Sequence, residues 1–478
     1  SGEGEYEMTD PKAEIVCIKV SELAEEPYDW GDVLGYSFDF DDGPHIAGGS
    51  LTISGYASRT TNYYPSTNLS LELEPSHVAI TPDNRAFVNC QVNNTLVEVN
   101  LGNVTSGVGV IQGAYGFGYR DISNTGNGFD GKNDGYALVE QPTETIYGWY
   151  QPGDMEIVVS GAKTILLTAN EGLPSKNPGG GEDVTNCSSC DYIDLEIDFR
   201  YGSGFTGNSS DPSYVFGSRS FSLWDITVGN SFPTLIYDSG SLIEDKLAEL
   251  MPDYANSLKS TYSSGDQASI SRGPEPAGIS LGTLSGKDIL IVSLEEMGGS
   301  MIFNLENLNN IPSFSASYES YATNRYFHDQ GWSQEDECAY NHFGAKDVLF
   351  LSSDITGNTS VTGVHEGYES ILVSNDETGS LTLFSLDSNF KLPGCTDSCA
   401  CNYNENATVN DGSCEFTSCV DEGCTYTDAD NYDPVANLDD GTCTFTIDTA
   451  CPGDLDGDGW IITGDLLLFL ALFGTGCP

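Results

Sequence analysis

The segment 451–478 reads CPGDLDGDGWIITGDLLLFLALFGTGCP, and its carboxylates are spaced for holding a cation. Asp454, Asp456 and Asp458 occupy positions 1, 3 and 5 of a calcium loop, and Asp465 closes it at position 12. Gly459 stands at position 6, where the sharp turn leaves no room for a Cβ. Trp460 offers its backbone carbonyl at position 7, and Ile462 faces a water at position 9. The cofactor this chemistry implies is calcium, which takes oxygen ligands. Asp465 also begins an amphipathic helix, and Cys451 and Cys477 bracket the module and are expected to join.

Upstream, GCTDSCACNYNENATVNDGSC is followed by GCTYTDADNYDPVANLDDGTC in matching register. Asn402, Asn404 and Asp411 of the first copy align with Asn431, Asp433 and Asp440 of the second, two candidate calcium sets. Asx-turn scaffolding is the alternative reading. Modules this small bury too little to hold together unaided. The equal spacing therefore predicts disulfides Cys395–Cys414 and Cys424–Cys443. Cys187 and Cys190 form a CxxC in a Gly/Asn/Ser-rich loop, where a local disulfide is expected. In GFDGKNDGY, Asp130, Asn133 and Asp134 are another candidate cation set, with a plain turn cluster as the alternative.

These residues need a scaffold, and the chain from 271 to 305 shows its grammar. Gly273-Pro274-Glu275-Pro276 is a turn, because proline fixes φ and lacks a donor. Ser285-Gly286-Lys287 signals a hairpin, and Ile289–Leu294 is an apolar run, as in a strand covered on both faces. Similar units follow Glu74-Pro75, Gln151-Pro152 and Gly344-Ala345-Lys346-Asp347. Four short antiparallel strands per repeat describe a β-propeller blade, with an all-β sandwich of hairpins as the alternative. Strands are further expected at 13–20, 50–56 and 192–199, and a helix at 242–258. The repeated turns place Glu74, Glu171, Glu275 and Glu295 where they could converge on a propeller axis, with Arg219 as a counter-charge.

LELEPSHVAITPDNRAFVN, YQPGD with TANEG, FGSRSFSLWD, and GPEPAG with LEEMGG resemble the choice-of-anchor I family, itself similar to mesenchyme-specific cell-surface glycoproteins. The resemblance implies an all-β fold over residues 1–390: a seven-bladed propeller on an extracellular or surface-anchored protein. The matched residues begin within a blade, so N-terminal blades are expected to be missing from this chain. A second polypeptide, either a cleaved N-terminal part or another copy, is expected to complete or pair with the ring. Residues 391–420 and 421–447 resemble short cysteine-rich repeats of secreted marine bacterial proteins, and 448–478 resembles half a dockerin. Together these are small C-terminal modules stapled by disulfides and calcium.

The totals narrow the function. Seventeen basic against 72 acidic residues give a net charge of −55 over 478 residues. That excludes nucleic acid and anionic membrane as natural partners and favours cations; solubility in a salty habitat, where salt screens the charge, is the alternative reading. Nine of 14 cysteines follow residue 394, which indicates an oxidising, extracellular or surface location with a signal peptide already removed. No apolar run approaches the ~20 residues of a membrane span. His328 and His342 stand alone, and no GxSxG, HExxH or P-loop occurs. The expected function is a secreted, calcium-binding surface propeller in adhesion, docking or assembly, more a binder than an enzyme. The alternatives are a calcium-dependent phosphatase or phosphodiesterase with an axial metal, and a subunit of an extracellular filament or surface layer.

Overall fold

The computed structural model describes residues 14–18, 35–40, 43–59, 69–175, 182–187, 192, 194–208, 210–259, 265–323, 344–352, 369–386, 393–395, 400, 403, 409–410, 414, 422–424, 426–427, 429–432, 438–439, 441–444, 455, 460 and 463–472. The chain forms two compact units: residues 1–398 with 403–414, and residues 399–402 with 415–478. The fold is mostly β.

Four sheets dominate the larger unit. The first runs His77–Ile80, Arg85–Cys90, Thr95–Asn100 and Ile111–Gly116 antiparallel, with Ile53–Gly55 added parallel at the edge. The second is Asp154–Ser160, Lys163–Ala169, Phe221–Asp225 and Thr234–Asp238, with residues 170–220 inserted at its middle. The third is Pro276–Leu284, Lys287–Leu294, Ser300–Glu306 and Ser315–Ala322. The fourth is Ala345–Leu351, Glu369–Asn375 and Ser380–Leu386. Each is an antiparallel meander of the kind the hairpin signals predict.

Local chemistry fixes the turns. Leu284 pairs with Lys287, so Ser285 and Gly286 are a two-residue hairpin loop, and both take positive φ, 51° and 80°. Such loops match the strand twist only with left-handed central residues. Pro276 opens the edge strand of its sheet, the place where a missing N–H costs nothing.

Alternation along the middle strands binds each sheet to two neighbours. Ile165, Leu167 and Ala169 face the third sheet in one core, where they meet Leu290, Val292, Met301 and Phe303. Leu166 points the other way, into a core with Phe87, Leu96 and Trp224 that joins the first and second sheets. Ile289, Ile291 and Ile302 pack on Val348, Ile371 and Val373 of the fourth. Ala86, Val88, Val97 and Val99 cover Phe38 and Ile46 on the far side of the first sheet. The sheets therefore stack face to face in chain order. Trp224 is 1% exposed, and its indole N–H donates to Thr168 Oγ1 at 3.1 Å, so no buried donor is orphaned there.

The structure shortens several sequence expectations. The helix spans Leu242–Leu250, not 242–258, because Met251 leaves helical φ/ψ and Pro252 follows. The strand expected at 192–199 is Glu196–Asp198, with Tyr192 packed against Phe129 instead. Strands at 13–20 and 50–56 are Glu14–Ile18 and Ile53–Gly55. Disulfides Cys395–Cys414 and Cys424–Cys443 both form, each with a sequence separation of 19. The first lies in the larger unit and the second in the smaller. Cys187 is disulfide-bonded, whereas Cys190, Cys451 and Cys477 lie outside the described residues.

Candidate functional site

Equivalent turns of the four sheets meet at one place. The residues just past the second strand of each meander are Gln91, Glu171, Glu295 and Asp376. Glu275 joins them from the turn that opens the third sheet, and carboxylate oxygens of Glu171, Glu275 and Glu295 lie within 4.8 Å of one another. All three side chains are buried, Glu275 completely.

Three cations of the same chain answer this charge. Lys346 Nζ lies 2.5 Å from both Glu171 Oε1 and Glu295 Oε2, bridging the second and third sheets from the fourth. A bulge between Ala345 and Asp347 takes Lys346 out of the ladder, a standard way to re-aim a side chain. Lys259 pairs with Glu295 and reaches Glu377 Oε1 at 3.3 Å, and its backbone N–H donates to Glu296 Oε2 at 2.6 Å. Arg272 pairs with Glu275 and donates to the Gly172 carbonyl at 3.2 Å. Gln91 Nε2 donates to Glu171 Oε2 at 3.0 Å, adding the first sheet. We refer to this convergence as the hub.

Backbone geometry supports the arrangement. Gln151 and Glu275 each precede a proline and hold φ of 39° and 58°, a strained region that costs about 1–3 kcal/mol per residue and persists only when the surroundings enforce it. A Cβ at Gly153 would lie 2.0 Å from Glu171 Oε2, so only glycine lets that carboxylate approach.

The electrostatics follow from burial and partners. Burial, then Glu295 and Glu171, hold the Glu275 carboxyl well above its ordinary value against the pull of Arg272. Burial also raises Glu171, with Lys346 opposing it. At Glu295 burial works upward but is outweighed by Lys346 and Lys259, which bring the carboxyl down to about 2.

Arg219 lies in a different buried network. Its NH1 reaches Glu244 Oε1 at 2.9 Å and the Asp130 carbonyl at 2.5 Å, and its NH2 donates to the Ser269 and Ser271 carbonyls at 2.7 and 2.9 Å. Its guanidinium sits 4.8 Å from the Phe129 ring centroid. Burial, then Glu244 and Asp266, push the Asp130 carboxyl up to about 8. Asn133 and Asp134 are exposed; Asp134 contributes its backbone N–H to Asp266 Oδ2 at 2.6 Å.

Glu74 is not one of the three hub carboxylates; its N–H donates to Asn93 Oδ1 at 2.8 Å, and its charge acts on the buried Cys90 thiol. Asn431 Oδ1 is occupied by the Thr444 N–H at 2.7 Å and hydroxyl at 2.9 Å, closing the second repeat on itself. Asn402, Asn404, Asp411, Asp433, Asp440, Asp454, Asp456, Asp458 and Ile462 lie outside the described residues. Trp460 is exposed, and the helix Thr463–Leu472 carries Asp465 in its first turn.

Sequence reasoning missed Lys346, Lys259, Arg272 and Gln91. Lys346 was visible inside a repeated turn, and with 17 basic residues in the chain a lysine there is a usable signal. Lys259 lies in no repeated turn and offers no such mark.

The choice-of-anchor I domain matches residues 46–308, more than half of the chain. The chain belongs to the choice-of-anchor I family. The matched span holds Gln91, Glu171, Lys259, Arg272, Glu275 and Glu295; Lys346 lies beyond it. Among curated proteins, a mesenchyme-specific cell surface glycoprotein of Strongylocentrotus purpuratus is 23% identical over 125 residues, which are 23% of this chain and 16% of that protein. Among solved structures, a Lactobacillus plantarum protein is 10% identical with a TM-score of 0.27, covering 78% of this chain and 67% of that one. A periplasmic gluconolactonase of Pseudomonas aeruginosa is 10% identical with a TM-score of 0.18, covering 75% and 89%. No described helix is long and apolar enough to cross a membrane.

Proposed function

We propose that this choice-of-anchor I protein is a secreted or cell-surface β-propeller scaffold that docks or assembles through its calcium-loaded C-terminal modules. The observation that carries the docking role is the helix Thr463–Leu472. Leu466, Leu467 and Leu470 are 56%, 64% and 57% exposed, in a chain carrying a net charge of −55. Apolar surface gathered on so polar a molecule marks an interaction site. The loop 454–465 that leads into this helix has the spacing to hold calcium and fix its first turn. Stacked meanders whose equivalent turns converge support the propeller reading, with the four sheets as successive blades. Disulfide-stapled repeats and the kinship with a cell-surface glycoprotein support an extracellular setting.

The hub speaks for fastening over catalysis. Its three carboxylates are ion-paired with Lys346, Lys259 and Arg272. The second reading is a metal-dependent phosphodiesterase or phosphatase, favoured by the 4.8 Å grouping of Glu171, Glu275 and Glu295.

Sedimentation velocity of the full chain in calcium and in chelator tests the proposal. Calcium should raise the sedimenting mass, and Leu467→Gln with Leu470→Gln should abolish the rise. An unchanged monomer in both buffers would contradict docking between copies or modules. Calcium-dependent hydrolysis of a phosphodiester, lost in Glu275→Gln, would favour the second reading.

A further inference from the structure

The stacked sheets of the larger unit repeat one contact, and at the two ends of the stack that contact is half made. Val78, Met155, Ile279 and Val348 hold equivalent places in the four opening strands. Each pairs with the residue three before a hub turn: Val88, Thr168, Val292 and Val373. Each shares its strand face with the residue two further on: Ile80, Ile157, Leu281 and Phe350. In three sheets the preceding sheet covers that face. Met155 and Ile157 pack with Phe87 and Leu96, Ile279 and Leu281 with Leu167, and Val348 and Phe350 with Ile291. In the first sheet the face is open, and Val78 and Ile80 are 60% and 63% exposed.

The backbone edges follow the same rule. Ile279 N–H donates to Asp154 Oδ2 at 3.1 Å, Leu281 N–H to Glu156 Oε2, and Phe350 N–H to Ser280 Oγ at 3.1 Å. One sheet thus lends side-chain acceptors to the opening strand of the next, and covers an edge that would otherwise invite another chain. In the first sheet the Thr81 N–H bonds the Arg85 carbonyl at 2.8 Å, so alternation turns the Val78 and Ile80 N–H groups outward. No described side chain accepts them.

The far face of the fourth sheet is the complementary half. Asp347 directly precedes Val348 as Asp154 precedes Met155, and it is exposed, its carboxylate taking no donor among the described residues. Leu349 and Leu383 both lie opposite Leu372, and Leu381 is two residues along the same strand from Leu383. Leu349, Leu381 and Leu383 are 53%, 68% and 39% exposed, an apolar face on a chain of net charge −55. One end of the stack offers N–H donors without acceptors, and the other a carboxylate without donors. Both are framed by apolar side chains, as at the finished junctions.

We infer that the fourth sheet of one copy receives the first sheet of a second copy, head to tail. Asp347 takes the Val78 N–H as Asp154 takes that of Ile279, and Leu349 meets Ile80 as Ser280 meets Phe350. The interface lies within the larger unit, and it does not rest on the proposed docking through the C-terminal helix.

Sedimentation velocity in chelator, on full chains carrying Leu467→Gln and Leu470→Gln, keeps the two apart. The sedimenting mass should reach at least twice that of one chain as concentration rises. Leu381→Glu with Leu383→Glu should return it to one chain, and Asp347→Ala should weaken the association about tenfold through loss of a charge-assisted hydrogen bond. A monomer at every concentration would overturn the interface, as would association that both variants leave intact. Leu349 and Ile80 are exposed, so cysteines there leave the core untouched and give a second reading. A Leu349→Cys chain mixed with an Ile80→Cys chain and oxidised should yield linked pairs whose bridge mass spectrometry places between positions 349 and 80. No such bridge in the mixture, or a bridge formed within one chain when both cysteines share it, would contradict head-to-tail pairing.

Discussion

Two of the buried ion networks in the larger unit are built differently. At the hub, Glu171, Glu275 and Glu295 meet Lys346, Lys259 and Arg272. Around Arg219, the guanidinium is bonded to one carboxylate, Glu244, and to the backbone carbonyls of Asp130, Ser269 and Ser271. The hub's cations come from the fourth sheet and from loops beside the third, so neutralising the charge also ties sheets together. The Arg219 network lies between a loop and a helix, and three of the four contacts of its guanidinium go to backbone carbonyls. Hub cations therefore tie sheets to one another, and Arg219 ties loops to a helix.

The largest effect that bears on this contrast is expected from Arg219→Met. Removing the hydrogen-bonded charge partner of buried Glu244 should cost about 4 kcal/mol, measured by urea unfolding. A loss smaller than that of Lys346→Met would remove Arg219 as the stronger tie. Lys346→Met should cost about 3 kcal/mol, somewhat less because its side chain is 33% exposed, and calcium should recover none of it. Recovery by calcium would show that a metal can take the place of Lys346 at the hub.

Acid sharpens the contrast further. Glu295 is held down to about 2 in the folded chain, against an ordinary value of 4.5. A depressed carboxyl contributes stability that is fully present above 4.5 and is lost as pH falls toward 2. Unfolding followed from pH 6 to pH 2 should show this decline in the wild type and a shallower one in Lys346→Met. Parallel curves would remove Lys346 as the cause. The smallest effect is Gly153→Ala, where the new Cβ meets Glu171 Oε2 and costs about 2 kcal/mol through overpacking. A neutral result there would show that the hub carboxylate can shift without loss.

The repeats were legible in sequence because propeller-like meanders write themselves locally. Leu284 to Lys287 is a two-residue hairpin marked by Gly286, and Ile289–Leu294 is apolar on both faces because two sheets cover it. Glu171, Glu275 and Glu295 could be grouped from their repeated turns for the same reason. The cations could not. Lys259 belongs to a segment with no repeat, and Lys346 is aimed by a bulge that appears only once strands pair. Arg219 looked equivalent to the hub turns by position, yet its left-handed backbone, φ 56°, accompanies a side chain that meets Glu244 instead. Asp266 and Asn256 carried no sequence signal, because their meeting with Asp130 depends on a fold-back between residues 130 and 266.

Crystals of the full chain soaked in terbium and measured at its absorption edge test the contrast most directly. The account predicts no anomalous peak between Glu171, Glu275 and Glu295, with Lys346 Nζ still bridging Glu171 and Glu295. A peak between Glu171, Glu275 and Glu295, with Lys346 displaced, would contradict it.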